Sequence, residues 1–245
     1  MASEAREVDP ARPEGLRLTA PLPLVLFVLT FTTGLVDAVS YLGLGQVFTG
    51  FVTGNVVLLG FAFAGASGFS AAAPLVSLGS FLVGAVLGGR LSVHLGHPQH
   101  RWLGLALLTE AAFVGLAAVA AIGLDADALT DRRFLVIGLL GVAMGIRNAS
   151  VRRLAVPDLT TTVLTLTITG LAADSPLAGT ETKRPRRRVI AIAAMLLGAI
   201  VGALLVRVSL LLPLIIMAAL VALTAVAYVW QHASQQRRSR GLRGR

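Results

Sequence analysis

The chain contains no cysteine, which excludes a disulfide framework, a thiol nucleophile and a thiolate metal site. It contains one lysine, Lys183, so its formal net charge of +9 rests almost wholly on arginine. Charged residues are 13% of the chain, about half the share usual in soluble domains. That shortage leaves too little polar surface to cover a water-soluble fold. Long polar connections are also missing; the longest, 174–187 (DSPLAGTETKRPRR), has fourteen residues.

What is present is apolar. Hydrophobic residues are 56% of the chain and the mean hydropathy is +0.81. They arrive in blocks of about 20, the length a helix needs to cross a bilayer. The blocks fall near 21–45, 48–66, 71–93, 102–123, 133–153, 158–173, 188–207 and 209–230, with Pro21, Pro23, Pro74 and Pro213 at or near their starts, where proline is tolerated. This predicts an all-α, polytopic membrane bundle over 21–230. Residues 1–20 mix Glu4, Glu7, Asp9 and Glu14 with Arg6, Arg12 and Arg17. They lack the cationic start and small-residue cleavage site of a signal peptide and read as a disordered tail. Residues 231–245 read as a basic tail. The clusters at 183–188 and 237–245 flank apolar blocks, a placement that suits anionic lipid headgroups better than nucleic acid.

The chain repeats itself. Gly34-x-x-Asp37-Ala38 returns as Gly145-x-x-Asn148-Ala149, Thr53-Gly54-Asn55 as Thr165-Leu166-Thr167, and FLVGAVLGG at 81–89 as MLLGAIVGA at 195–203. The three matches keep their order, so two repeats are expected, 21–123 and 133–230. Paired halves of this kind are common in secondary transporters. If all eight blocks crossed the membrane, Arg90, Arg101, Arg152 and Arg153 would lie outside, against the positive-inside bias. If the short blocks 48–66 and 158–173 only dip into the membrane, these arginines and both termini lie inside, and Asp125, Asp127 and Asp131 lie outside. The charges therefore favour six spanning helices plus two dipping segments over the alternative of eight.

Non-helical backbone at membrane depth must be buried in protein or line a cavity. The dipping segments carry Thr49, Thr53 and Asn55, and Thr160, Thr161, Thr162, Thr165 and Thr167, and are expected to converge on the bundle interior. Asp37 lies about 16 residues, or ~24 Å, along the first helix. A carboxylate there must find a partner, face the interior or stay protonated. It is either a proton- or cation-handling group or a structural acid bonded to Thr33 or Tyr41. Glu110 is a second intramembrane acid, with Arg147 within reach as an ion-pair partner; unpaired, it would suit proton coupling. Gly34, Gly84, Gly88, Gly145, Gly198 and Gly202 read as close-packing sites between helices. His94, His97 and His100 have inviting spacing, but Pro98 interrupts them and no carboxylate is near, so no metal site is assigned. The chain lacks H-E-x-x-H, G-x-S-x-G and Walker A motifs, so neither an intramembrane enzyme nor ATP-driven transport by this chain alone is expected. No cofactor is expected.

Gly34-x-x-Asp37-Ala38-x-Ser40-Tyr41-Leu42 followed by Phe48-x-Gly50-x-x-Thr53-Gly54-Asn55, with Gly145-x-Arg147-Asn148-Ala149 followed by Thr161-Thr162-Val163-Leu164-Thr165, resembles the YoaK family of bacterial inner-membrane proteins, which carry a domain of unknown function. The resemblance runs over about 22–230. Two positions depart from it: Arg147 stands where glutamine is common, and Leu166 where glycine is frequent. The resemblance implies a multi-pass protein of a kind suspected of transport, and it brings no substrate, cofactor or catalytic residue. The favoured expectation is a small-solute permease or channel-like transporter, with a pathway along Asp37, Thr53, Gly54, Asn55, Asn148, Thr161, Thr162, Thr165 and Thr167. The alternative is a non-transporting scaffold or lipid- or partner-binding protein, as an oligomer or alone, whose polar residues only hold helices together.

Overall fold

In the computed structural model, residues 21–96, 99–123, 131–154, 164–179 and 185–243 are described, with 21, 99 and 235–243 described by their backbone alone. These residues form eight α-helices: α1 Pro21–Gly43, α2 Val52–Phe63, α3 Ala72–Leu95, α4 Gln99–Ala120, α5 Asp131–Leu154, α6 Leu164–Ala173, α7 Pro185–Val206 and α8 Leu211–Arg243. Six of them are long and apolar enough to cross a membrane, while α2 and α6 have 12 and 10 residues. At 1.5 Å per residue neither short helix spans a ~30 Å hydrocarbon core. The apolar block 48–66 is long enough on paper. Its first residues, 48–51, however, are spent on an irregular loop that follows the turn at Gly45 and Gln46, both at positive φ. The alternative of eight spans therefore falls. α8 runs unbroken to Arg243, so the basic tail continues this helix from 231 to 243.

The contacts fix the direction of each helix. Gly34 of α1 lies against Met195 and Ala199 of α7, and Gly43 against Val206 and Leu210, so α1 and α7 run parallel. Gly84 and Gly88 of α3 lie against Val142 and Ile146 of α5, again in parallel. Gly104 of α4 meets Val229 of α8, and Gly115 and Ile122 line one groove with Ala218 and Leu211, so α4 and α8 are antiparallel. Since consecutive spans alternate in direction, α1, α4 and α7 then point one way, and α3, α5 and α8 the other.

The first and second halves are interleaved. α1 packs on α7 and α5 on α3, each helix joining a partner from the other half, while α4 and α8 pack on each other. Exchanging α1–α4 with α5–α8 leaves α4 on α8 unchanged and maps the other pairings onto one another: α4 on α5 becomes α8 on α1, and α2 on α3 becomes α6 on α7. The match reaches single residues. A Cβ on Gly88 would come within 2.9 Å of the Ile146 carbonyl and 3.1 Å of Ala149, and one on Gly202 within 2.7 Å of the Leu35 carbonyl and 2.9 Å of Ala38. Without side chains at these glycines the backbones can touch, which is how helices gain dispersion energy in lipid, where water drives nothing together. The core between these pairs is built from Leu26, Leu29, Leu35, Leu103, Leu107, Leu140, Met144, Leu214 and Met217, all buried.

Candidate functional site

Two polar clusters lie inside this apolar frame. The first forms where α1 ends. Asp37, two turns before the end of α1, is 7% exposed. Its Oδ1 accepts the backbone N–H groups of Gly50 at 2.7 Å and Phe51 at 3.2 Å. The Thr49 amide also faces the carboxylate, yet Oδ2 is buried and no hydrogen bond closes on it. Gly50 is needed for this approach: a Cβ there would sit 2.8 Å from the Thr33 methyl and 3.2 Å from either carboxylate oxygen. Asp37 thus takes up amides just ahead of α2 that no helical carbonyl can reach, and the positive end of the α2 dipole favours its charge.

Asn55 completes the loop from the other side. Fully buried, its Oδ1 accepts the Phe48 N–H at 2.9 Å, and its Nδ2 donates to the Phe48 carbonyl at 2.6 Å and to Ser77 Oγ at 3.1 Å. Ser77 Oγ donates to the same carbonyl at 2.7 Å. An irregular loop at this depth needs such partners, because lipid supplies none. Gly54 lets the rings of Phe48 and Phe51 close in: its Cβ would lie 2.8 Å from each. Tyr41 stacks on Phe48 with centroids 4.9 Å apart, and Phe48 meets Phe51 edge-on at 5.4 Å. Between this aromatic set and α7 runs an open groove of about 390 Å³ whose lining includes Asp37, Met195 and Ala199.

The second cluster lies deeper. Arg147 of α5 donates from Nε at 2.9 Å and from Nη2 to Oε1 of Glu110, and from Nη1 at 2.9 Å to both the Leu29 carbonyl and Thr33 Oγ1. Arg147 is 1% exposed and Glu110 is fully buried. One side chain thereby ties α5 to α4 and α1. Counting 111 residues back from Arg147 gives Val36, and counting 114 forward from Glu110, the displacement of the 81–89 match, gives Thr224, whose hydroxyl donates to its own helix at the Leu220 carbonyl. The ion pair exists in only one of two otherwise matching places.

Of the residues expected to line a pathway, the structure brings Asp37, Gly54 and Asn55 together at one end of the bundle. Thr53 is exposed on the outer side of α2, as is Thr165 on α6, so neither lines the interior. The reason is helical phase: in each short helix the buried face carries Asn55 or Thr167, two residues on. Among the described residues the two dipping segments do not converge either; α2 lies along α3 and α6 along α7. Asn148 is buried with its Nδ2 donating to the Met144 carbonyl at 2.9 Å, and it does not line the Asp37 groove. Thr160, Thr161 and Thr162 lie outside the described residues. Gly34, Gly84, Gly88, Gly145, Gly198 and Gly202 all sit at helix contacts. His94 turns to its own Arg90 carbonyl, His100 stacks on His232, and His97 lies outside the described residues. Sequence reasoning did not anticipate Ser77 or Gly50; a serine in the second turn of a largely apolar span was the available signal for the former.

Against this geometry stand the comparisons with known proteins. Residues 25–227 match a family model described as "Protein of unknown function (DUF1275)". A curated relative, the UPF0700 transmembrane protein YoaK of Bacillus subtilis (strain 168), is 31% identical over 155 residues, which cover 61% of this chain and 65% of that protein. The chain thus aligns with just under two thirds of the relative's length. No solved structure matches.

Proposed function

Because the chain belongs to the DUF1275 family of multi-pass transmembrane proteins, whose description assigns no activity, we propose from its own architecture that it is a small-solute permease working by alternating access. The observation that carries this is the pairing pattern, which survives exchange of the two halves. With three crossings in each half, such a pattern describes duplicated halves of opposite orientation, the usual frame of transporters that rock one part against another. The glycine-locked pairs α1–α7 and α3–α5 are the rigid bodies, and α4–α8 is the seam between them. Asp37 is the group that meets the solute and can carry a coupled proton; Glu110 is committed to Arg147.

Orientation follows from charge. The face where α3, α5 and α8 end and α4 and α7 begin carries Arg101, Arg152, Arg153 and Arg186–Arg188. The positive-inside bias assigns that face to the cytoplasm of a bacterial inner membrane, where it meets anionic headgroups and where both termini lie.

Purified protein in liposomes, offered labelled amines, amino acids and sugars, is expected to move at least one class. Asp37→Asn should abolish that flux while the protein stays folded and abundant. A second reading has its own observation: Asp37 and Asn55 satisfy loop backbone, as pure structural glue would. If every class fails to move with wild-type protein folded in the vesicles, or if Asp37→Asn lowers abundance and flux in step, the scaffold reading replaces the permease.

A further inference from the structure

The groove beside Asp37 combines three features. It has at its edge a carboxylate that is 7% exposed and whose Oδ2 is buried without a hydrogen bond. It holds three aromatic rings, Tyr41, Phe48 and Phe51, two stacked and the third turned by 83° to its neighbour, so that ring faces point in two directions. Its opposite wall, Met195 and Ala199 of α7, is apolar. A negative oxygen next to aromatic faces attracts cations. A bare metal cation is poorly served, because it needs six or so oxygen ligands and the groove lining offers one carboxylate. A cation that brings its own apolar surface loses little hydration and gains contacts with every wall. The nearby cation, Arg147, is paired with Glu110.

We infer that this groove is a binding site for organic ammonium ions, with the charged nitrogen at Asp37 and its carbon substituents against Tyr41, Phe48 and Phe51. The site is one-sided. In the second half the places of Asp37 and Tyr41 are taken, 111 residues on, by Asn148 and Arg152, which would not hold a cation. The inference deepens the permease reading by naming a substrate class, and it rests on that reading only for the claim that the bound ion is carried; binding is testable by itself.

The test uses the full chain in phosphatidylglycerol nanodiscs and radiolabelled benzyltrimethylammonium as probe. Saturable binding at one site per chain is expected. Neopentylbenzene, the uncharged carbon isostere, and millimolar sodium or potassium should not displace it. Asp37→Asn keeps an acceptor for the Gly50 and Phe51 amides and should weaken binding about tenfold or more, and Phe51→Leu several-fold. Phe51 is half exposed, so this second variant decides the matter if the first fails to fold. Absence of saturable binding, equal competition by neopentylbenzene, or unchanged affinity in a folded Asp37→Asn or Phe51→Leu variant would overturn the inference. Adding phosphatidylethanolamine to the nanodiscs identifies the source of the ammonium group. Displacement of the probe assigns the site to a lipid headgroup, and indifference assigns it to a free solute. Binding without flux in liposomes would sink the permease and leave the site standing; flux of another class without cation binding would do the reverse.

Discussion

Arg147 and Glu110 form a charge pair in a place where the bilayer offers no water, and the guanidinium has further partners in Leu29 and Thr33. Removing one member of a buried pair strands the other, at about 3–5 kcal/mol. Glu110→Leu and Arg147→Met should each lower the thermal unfolding temperature in detergent sharply. The double variant should recover most of the loss, since no charge is then stranded and the matching places in the other half hold the uncharged Val36 and Thr224. A double variant no better than either single one would mean that the charges themselves specify the packing. At Asp37 the local sequence revealed a buried acid but not its partner. Thr33 and Tyr41 were the side chains within reach, whereas the observed donors are backbone amides thirteen and fourteen residues away. Backbone donors have no residue type to read, and only the glycine at 50 hints at them.

At the scale of elements, the glycine contacts make the sharpest prediction. A Cβ on Gly198 would fall within 2.8 Å of the Phe31 carbonyl carbon, whereas one on Gly89 meets nothing within 4 Å. Gly198→Ala should therefore cost about 1–3 kcal/mol by forcing α1 and α7 apart, and Gly89→Ala should be close to neutral, both read from thermal unfolding. Asn55→Ala would leave the Phe48 N–H without a partner and its carbonyl with Ser77 alone, an expected loss of about 1–3 kcal/mol. Because the chain has no cysteine, a single cysteine at Phe48 reports on that loop without background. It should react slowly with maleimide in the parent and faster once Asn55 is gone. The sequence marked these glycines as packing sites through their spacing. It could not say that each pairs with a helix of the opposite half, because spacing identifies a smooth face and not the neighbour that covers it.

Across the whole molecule, the six long helices were legible from block length and the two short ones from the distribution of arginine, since crossing and charge both act along the chain. How the polar segments would meet was not legible. Expecting them to converge assumed that polar residues seek one another, whereas Asn55 is satisfied within 30 residues of itself, by Phe48 and Ser77. The orientation proposed above predicts that cysteines placed at Ala66 and Asp127 react with a membrane-impermeant maleimide added outside intact cells, and that those at His97 and Thr182 react only after the membrane is opened. The reverse pattern would turn the molecule over.

α8 has 33 residues, about 50 Å of helix against a hydrocarbon layer of ~30 Å. The surplus has no hinge between it and the buried part, so its arginine-rich end is a rigid spar and not a loose tether. Any tilt of α8 within the bundle is amplified into a sideways sweep of that charged tip. Conversely, whatever anionic surface grips the tip also steadies the seam with α4 inside the lipid.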